Sequence, residues 1–141
     1  MKNKFMELAI LEAKKDPNEI PVGAVLVKDK KVIAAAHNEC VAKNGICHAE
    51  LLVIERGLSE LGTTYLENCE LYVTKEPCIM CLGAAVNARV KRVYFGCYDV
   101  KYGAMEYVEK LGYLHKINHT PELYGGIMEL ECKSLLEDFF R

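Results

Sequence analysis

The sequence predicts an α/β protein with a mixed sheet, and three observations carry that prediction. Two β-branched and alanine-rich runs, Val22–Val27 and Lys31–Ala36, are separated by Lys28-Asp29-Lys30 and read as a hairpin. Two further strand-like runs, Glu70–Thr74 and Arg92–Gly96, each follow a segment of helical periodicity. Apolar helical stripes near both ends supply covering layers. The 141 residues carry no repeat, low-complexity tract or linker, so one domain over 1–141 is expected.

Residues 2–15 read as a helix, with Phe5, Met6, Ala9, Ile10 and Ala13 as a wide stripe, and Asp16-Pro17-Asn18 stops it. A polar loop with Asn38, Asn44 and Gly45 follows the hairpin. His48–Leu61 is helical through Leu51, Leu52, Ile54, Leu58 and Leu61, and Gly62 ends it. After the Lys75-Glu76-Pro77 loop, Cys78–Ala88 reads as an apolar helix of small residues. These two middle helices are expected to cross between neighbouring strands. A short helix over Ala104–Leu111 and an edge strand over Thr120–Tyr124 come next. Beyond Gly125 and Gly126, Ile127, Leu130, Leu135, Leu136 and Phe139 give the closing helix its expected core face.

Eighteen basic and twenty acidic residues leave a net charge of −2, which argues against a general nucleic-acid binder and against DNA as a partner. The charge is uneven: Arg89 to Lys116 holds six Lys or Arg against three acids, a modest local basic surface. No apolar run approaches the roughly 20 residues that span a bilayer. No signal-like segment opens the chain, so no membrane association and a cytoplasmic location are expected. Seven cysteines without a secretory signal favour burial or metal binding over a disulfide framework. Cys40, Cys47, Cys69, Cys97 and Cys132 are scattered and expected to be buried or half-buried thiols.

Cys78 and Cys81 differ, because a Cys-x-x-Cys pair at a helix start puts both sulfurs on one face. The helix dipole there favours thiolate. Pro77 suits the helix entry, since its missing N–H needs no partner there. Such a pair is a half-site for zinc or a redox dithiol. His48, also at a helix start, supplies a second half-site. One His and two Cys are the count for a catalytic zinc with an open fourth position. Glu50, two residues past the histidine, can place a carboxylate beside metal-bound water without ligating the metal, as a proton shuttle would. Taken singly, a core histidine, a solvated acid and a dithiol are equally good readings; jointly, His-Ala-Glu followed by Pro-Cys-x-x-Cys points to zinc chemistry.

This signature is that of the zinc-dependent nucleobase deaminases. The chain further resembles the bacterial tRNA adenosine deaminases over most of its length. The match runs through Ile20-Pro21-Val22-Gly23-Ala24-Val25-Leu26-Val27, Asn38, Leu71-Tyr72-Val73-Thr74 and Glu76-Pro77-Cys78-Ile79-Met80-Cys81. It continues through Phe95-Gly96, Asp99, Lys101, Gly103-Ala104, Asn118-His119 and the closing Leu135 to Arg141. The resemblance implies a cytidine deaminase-like three-layer α/β/α sandwich with a five-stranded mixed sheet, assembled as a homodimer. It implies one zinc per subunit on His48, Cys78 and Cys81, water attack at C6 of adenine, and Glu50 protonating N1 and then the departing amine. Ammonia and inosine result, at the wobble position of a tRNA anticodon stem-loop. It further places Val22 and Asn38 against the base and Asp99, Lys101 and Asn118 near the flanking nucleotides, with Ala49, Pro77, Phe140 and Arg141 also among the substrate- and RNA-binding residues.

Three departures from the family stand out. Lys43-Asn44-Gly45-Ile46-Cys47 replaces the usual Asp-Pro-Thr-Ala before the histidine, which sets Cys47 where it could lie near the metal. Val100 and Tyr102 replace smaller or polar residues, and the chain ends at Arg141 where many relatives continue into a basic tail, which bears on tRNA affinity. Rival readings are a deaminase of free guanine, cytosine or a nucleoside, an inert deaminase-like binding subunit, and a structural zinc module. Glu50 argues against the inert subunit, and the lack of a fourth ligand at suitable spacing argues against the structural module.

Overall fold

The computed structural model describes residues 2–141. Five strands form one sheet in the order β2-β1-β3-β4-β5: β1 (Gly23–Lys28), β2 (Lys31–His37), β3 (Cys69–Lys75), β4 (Arg92–Cys97) and β5 (Glu122–Tyr124). β1 is antiparallel to both β2 and β3, whereas β3, β4 and β5 run parallel. The hairpin turn is Asp29-Lys30, with φ of 50° and 63°. Two positive φ values in succession give the turn whose twist matches that of its strands.

Helices α1 (Lys4–Ala13) and α5 (Glu129–Phe140) cover one face, and α2 (Ala49–Leu61), α3 (Ile79–Asn87) and α4 (Met105–Tyr113) the other. The expected three layers and mixed sheet are therefore present. Residues of β1 alternate between them: Ala24 and Leu26 join the α2–α3 core, Val25 and Val27 the α1–α5 core. A central strand buried on both faces needs this near-continuous apolar run. Gly23 lets α1 lie directly on β1, because a Cβ there would overlap the Ala9 carbonyl oxygen. Asn3 caps α1, its Oδ1 accepting from the Phe5 and Met6 amides at 3.1 and 3.0 Å.

Two expectations need correction. Of the two middle helices, α3 links neighbouring strands, whereas α2 runs from β2 to β3 with β1 between them, because β1 is the antiparallel partner of both. On α5 the residue fully buried is Cys132, while Leu130 is 76% exposed and Phe139 is 40% exposed. Cys132 fits because Gly96 has no side chain: a Cβ there would meet the Cys132 sulfur. With Cys132 and Leu136, one turn apart, set on the sheet, Leu130 turns to solvent. The five scattered cysteines are buried or half-buried and free, as their spacing suggested. Among the described residues no helix is long and apolar enough to cross a membrane.

Glu12 ties α1 to β2, with carboxylate oxygens 2.6 Å from Lys15 Nζ and 3.3 Å from His37 Nδ1. Burial alone would raise its pKa, but the two basic partners outweigh burial and hold it below the ordinary 4.5. The stability this pairing contributes is fully present above that ordinary value and is lost as pH falls through the lower native one. Glu12→Gln is therefore expected to lower the melting temperature at neutral pH by a few degrees, with the difference from wild type closing as pH falls below the ordinary 4.5.

Candidate active site

The chemistry gathers where β3 and β4 end and α2 and α3 begin. His48 and Cys78 are the N-cap residues of α2 and α3, and neither side chain makes a capping hydrogen bond. Ser, Thr, Asp or Asn normally fills that position and satisfies the helix amides. Here the two side chains turn to each other instead. His48 Nδ1 lies 3.6 Å from Cys78 Sγ and 3.4 Å from Cys81 Sγ. Asn38 takes over the capping of α2, its Oδ1 accepting from the Ala49 amide at 2.9 Å. Pro77 lies outside the helix rather than in its first turn, and its carbonyl accepts from the Ala104 amide.

The donor atoms of His48, Cys78 and Cys81 all lie within 4.8 Å of one another. Tetrahedral zinc bonded to sulfur at about 2.3 Å and to nitrogen at about 2.05 Å sets an N···S separation of about 3.6 Å. Both nitrogen–sulfur separations thus match those of a zinc site. The Cys81 thiol, hydrogen-bonded to Cys78, draws the Cys78 pKa down to about 5 against the effect of burial, and His48 and nearby amides assist. That same bond and burial push Cys81 up. The pair therefore shares one proton near neutral pH. Cys47 stands apart: its buried thiol faces Asn44 Oδ1 at 3.5 Å, and it is no member of the cluster. Asn44 itself accepts from the Ile46 amide at 3.1 Å, so a side-chain turn shapes the segment that enters His48.

Glu50 lies in the first turn of α2, 4% exposed, and its Oε1 is buried without a hydrogen-bond partner. Burial pushes its carboxyl up to about 7. Its own backbone N–H, His48 and Lys75 offset that in part, while the Cys78 thiolate adds to it. A carboxyl balanced near neutrality beside a metal cradle is suited to taking up and releasing protons.

A cavity of about 470 Å³ opens over Glu50, His48 and Cys78. Val22, Asn38 and Asp99 line it. With Asn38 Oδ1 held by α2, the Asn38 amide NH₂ is the group left to donate into the cavity. Ala49 and Pro77 lie behind this wall rather than in it. Lys101 lines an adjoining cavity of about 460 Å³, which shares Glu76 and Asp99 with the first. Asn118 borders neither: its neighbour His119 bonds the Val90 carbonyl at 2.7 Å, at the opposite end of β4. From the C-terminus it is Phe139, not Phe140 or Arg141, that reaches the cavity, and Arg141 pairs with Asp138 at 3.2 Å.

Several wall residues went unrecognised in the sequence. Glu19 accepts from the Val41 and Ala42 amides and fixes the loop before His48. Glu76 accepts from the Asp99 amide at 3.0 Å and the Met105 amide at 3.2 Å, gripping both ends of the loop between β4 and α4. Gly103 allows this, because a Cβ there would overlap the Glu76 carboxylate. The only signal was adjacency to Pro77-Cys78. Glu76→Ala is expected to speed amide exchange across 99–105 by more than tenfold, from two lost charge-assisted bonds, with zinc content unchanged by metal analysis.

Residues 1–97 match the family model of the cytidine and deoxycytidylate deaminase zinc-binding region, which sets the class as a zinc-dependent deaminase. The chain is 45% identical over 140 residues to the tRNA-specific adenosine deaminase of Bacillus subtilis, covering 97% of this chain and 87% of that one. To the tRNA-specific adenosine deaminase of Agrobacterium fabrum it is 41% identical, covering 97% and 92%. A solved structure from a study of A-to-I editing by tRNA:A34 deaminases at the wobble position of transfer RNA matches with a TM-score of 0.89. It is 40% identical and covers 96% of this chain and 100% of its own. The chain belongs to the tRNA-specific adenosine deaminase family.

Proposed function

We propose that this protein deaminates adenosine to inosine at the wobble position of a tRNA anticodon, hydrolytically and with release of ammonia. The observation that carries the reading is the unpartnered Glu50 carboxyl oxygen beside the His48, Cys78 and Cys81 cradle, in a chain of this family. Zinc held there supplies a Lewis acid that lowers the pKa of water and so provides a nucleophile at neutral pH.

The chain's own residues do the rest. Glu50 takes a proton at Oε1 as water is activated and delivers it to N1 of adenine. Glu50 then takes the proton of the hydroxyl added at C6 and passes it to the departing amine, so that water and adenosine leave as ammonia and inosine. Val22 gives the base an apolar wall, and the Asn38 amide donates to an acceptor on the purine edge. The target base must leave its stack to enter so recessed a site. Asp99 and Lys101 sit on the side where flanking nucleotides would lie, next to the second cavity. The residues form one domain, working in the cytoplasm as a homodimer. Apolar side chains exposed on the α3–α4 side, Ile79 at 60% and Tyr107 at 66%, support pairing through that layer.

The test is incubation with an anticodon stem-loop carrying adenosine at the wobble position, with free adenosine, cytidine and guanine in parallel. Inosine in the RNA alone is expected. Ammonia from a free base or nucleoside, with the RNA untouched, would replace the tRNA substrate with a small molecule and keep the zinc chemistry.

A further inference from the structure

Lys75 stands where the strand pattern calls for an apolar residue. Odd-numbered positions of β3 face the α2–α3 layer, and Leu71 and Val73 are buried there at 1% and 0% exposure. Lys75 is next in that row, so its side chain leaves the end of the sheet on the same face as Glu50, and it lines the cavity. A lysine continuing a core row is costly unless its charge is met. Asp99 meets it in part, with Oδ2 3.1 Å from Lys75 Nζ.

The other charges around the cavity show what remains free. Four carboxylates line it, from Glu19, Glu50, Glu76 and Asp99, and Lys75 is the one Lys or Arg among its lining residues. Glu19 and Glu76 are each committed to two backbone amides. Asp99 Oδ1 accepts from the Lys101 and Tyr102 amides, leaving Oδ2 for Lys75. The Lys75 ammonium has three N–H donors, of which Asp99 uses one. Its side chain remains 32% exposed, toward a cavity whose substrate, on the function proposed above, is a polyanion.

We propose that Lys75 is a phosphate-binding residue: its ammonium, aimed by Asp99, binds a backbone phosphodiester of the RNA next to the target nucleotide. The proposal rests on the tRNA reading and adds to it a contact that no motif marks. Asp99 acts here as a positioning residue, holding the ammonium at the cavity mouth while it also closes the loop that carries Tyr102.

Two variants and two substrates test it, in the zinc-loaded protein. Lys75→Leu removes the charge and restores the apolar row, so the fold is retained; Lys75→Arg keeps the charge. One stem-loop is unmodified, and the other has neutral methylphosphonate linkages flanking the wobble adenosine. For the unmodified RNA, Lys75→Leu is expected to raise KM roughly tenfold, the loss of one charge-assisted hydrogen bond. The slope of log affinity against log salt should shallow by about 0.7, the single-strand value for one phosphate. Lys75→Arg should recover most of both. With neutral linkages, the KM values of wild type and Lys75→Leu should differ by less than twofold, whatever loss of the Lys75 charge does to kcat through Glu50. An unchanged salt slope, or an equal loss on both substrates, overturns the phosphate contact even though wild type makes inosine. Absence of inosine with wild type overturns the tRNA reading itself, and a salt slope unchanged by Lys75→Leu in direct RNA binding then removes this proposal separately.

Discussion

Replacing Glu50 by glutamine is expected to lower kcat by about 10²–10⁴-fold while zinc content and melting temperature hold. The amide has the size and shape of the carboxyl, so the first turn of α2 and the packing around Ala49 and Val53 are untouched. It cannot take up and release a proton at the atom corresponding to Oε1, which in the native protein has no other partner. Stability should not fall, because the buried carboxylate is itself disfavoured: burial is the leading cause of its raised pKa. The measurement is inosine formation under single turnover, with metal analysis and thermal unfolding on the same preparation. A variant that keeps more than a tenth of the wild-type rate would remove the proton shuttle from Glu50. Loss of zinc would show that the carboxylate holds the metal instead.

Removing zinc, by chelation or by Cys81→Ser, should abolish turnover and lower the melting temperature by roughly 10 °C, from about 4 kcal/mol of binding-linked stability at a thousandfold excess over Kd. The reason is topological. His48 occupies the N-cap position of α2 and Cys78 that of α3, so one ion held by both would join two helix starts 30 residues apart in sequence. Binding also displaces protons. Near neutral pH, Cys78 is already thiolate, with a pKa drawn down to about 5, while Cys81 is protonated. Calorimetry at pH 7 in buffers of different ionisation enthalpy should therefore register release of about one proton per zinc. As pH falls through about 5, Cys78 takes up its proton too and affinity should drop more steeply. Release of no proton would contradict the shared-proton arrangement of the two sulfurs.

The zinc cluster was legible because each half of it is local. Cys78 and Cys81 are one turn apart, and His48 and Glu50 share another first turn, so a helix start converts sequence spacing directly into geometry. The layers were legible for a similar reason, since the near-continuous apolar run of β1 reports burial on both faces and period 3.6 in α1 and α2 reports one buried stripe each. What escaped depends on contacts across the fold. Glu76 acts on amides 23 and 29 positions away, and Glu19 on amides 22 and 23 positions away. The α5 face was misread because periodicity offers two apolar sides, and the choice between Leu130 and Cys132 is made by the missing side chain of Gly96 on another element. Lys75 was read as part of a loop; only the register of β3 with β4, which pairs it with Cys97, makes it the last residue of a core row. Asn118 matched a family motif, yet the chain carries it to the far end of β4 from the cavity.

The grip of Glu76 on the loop after β4 falls entirely on main-chain amides. Within that loop Val100 is wholly exposed and Tyr102 is 63% exposed, so neither is needed to keep the loop's course. Anchorage and side-chain identity are thus decoupled. The residues at 100 and 102 can be rewritten while the metal site and the loop's path stay as they are, which on the RNA contacts proposed above makes this stretch the place to alter which neighbouring nucleotides are tolerated.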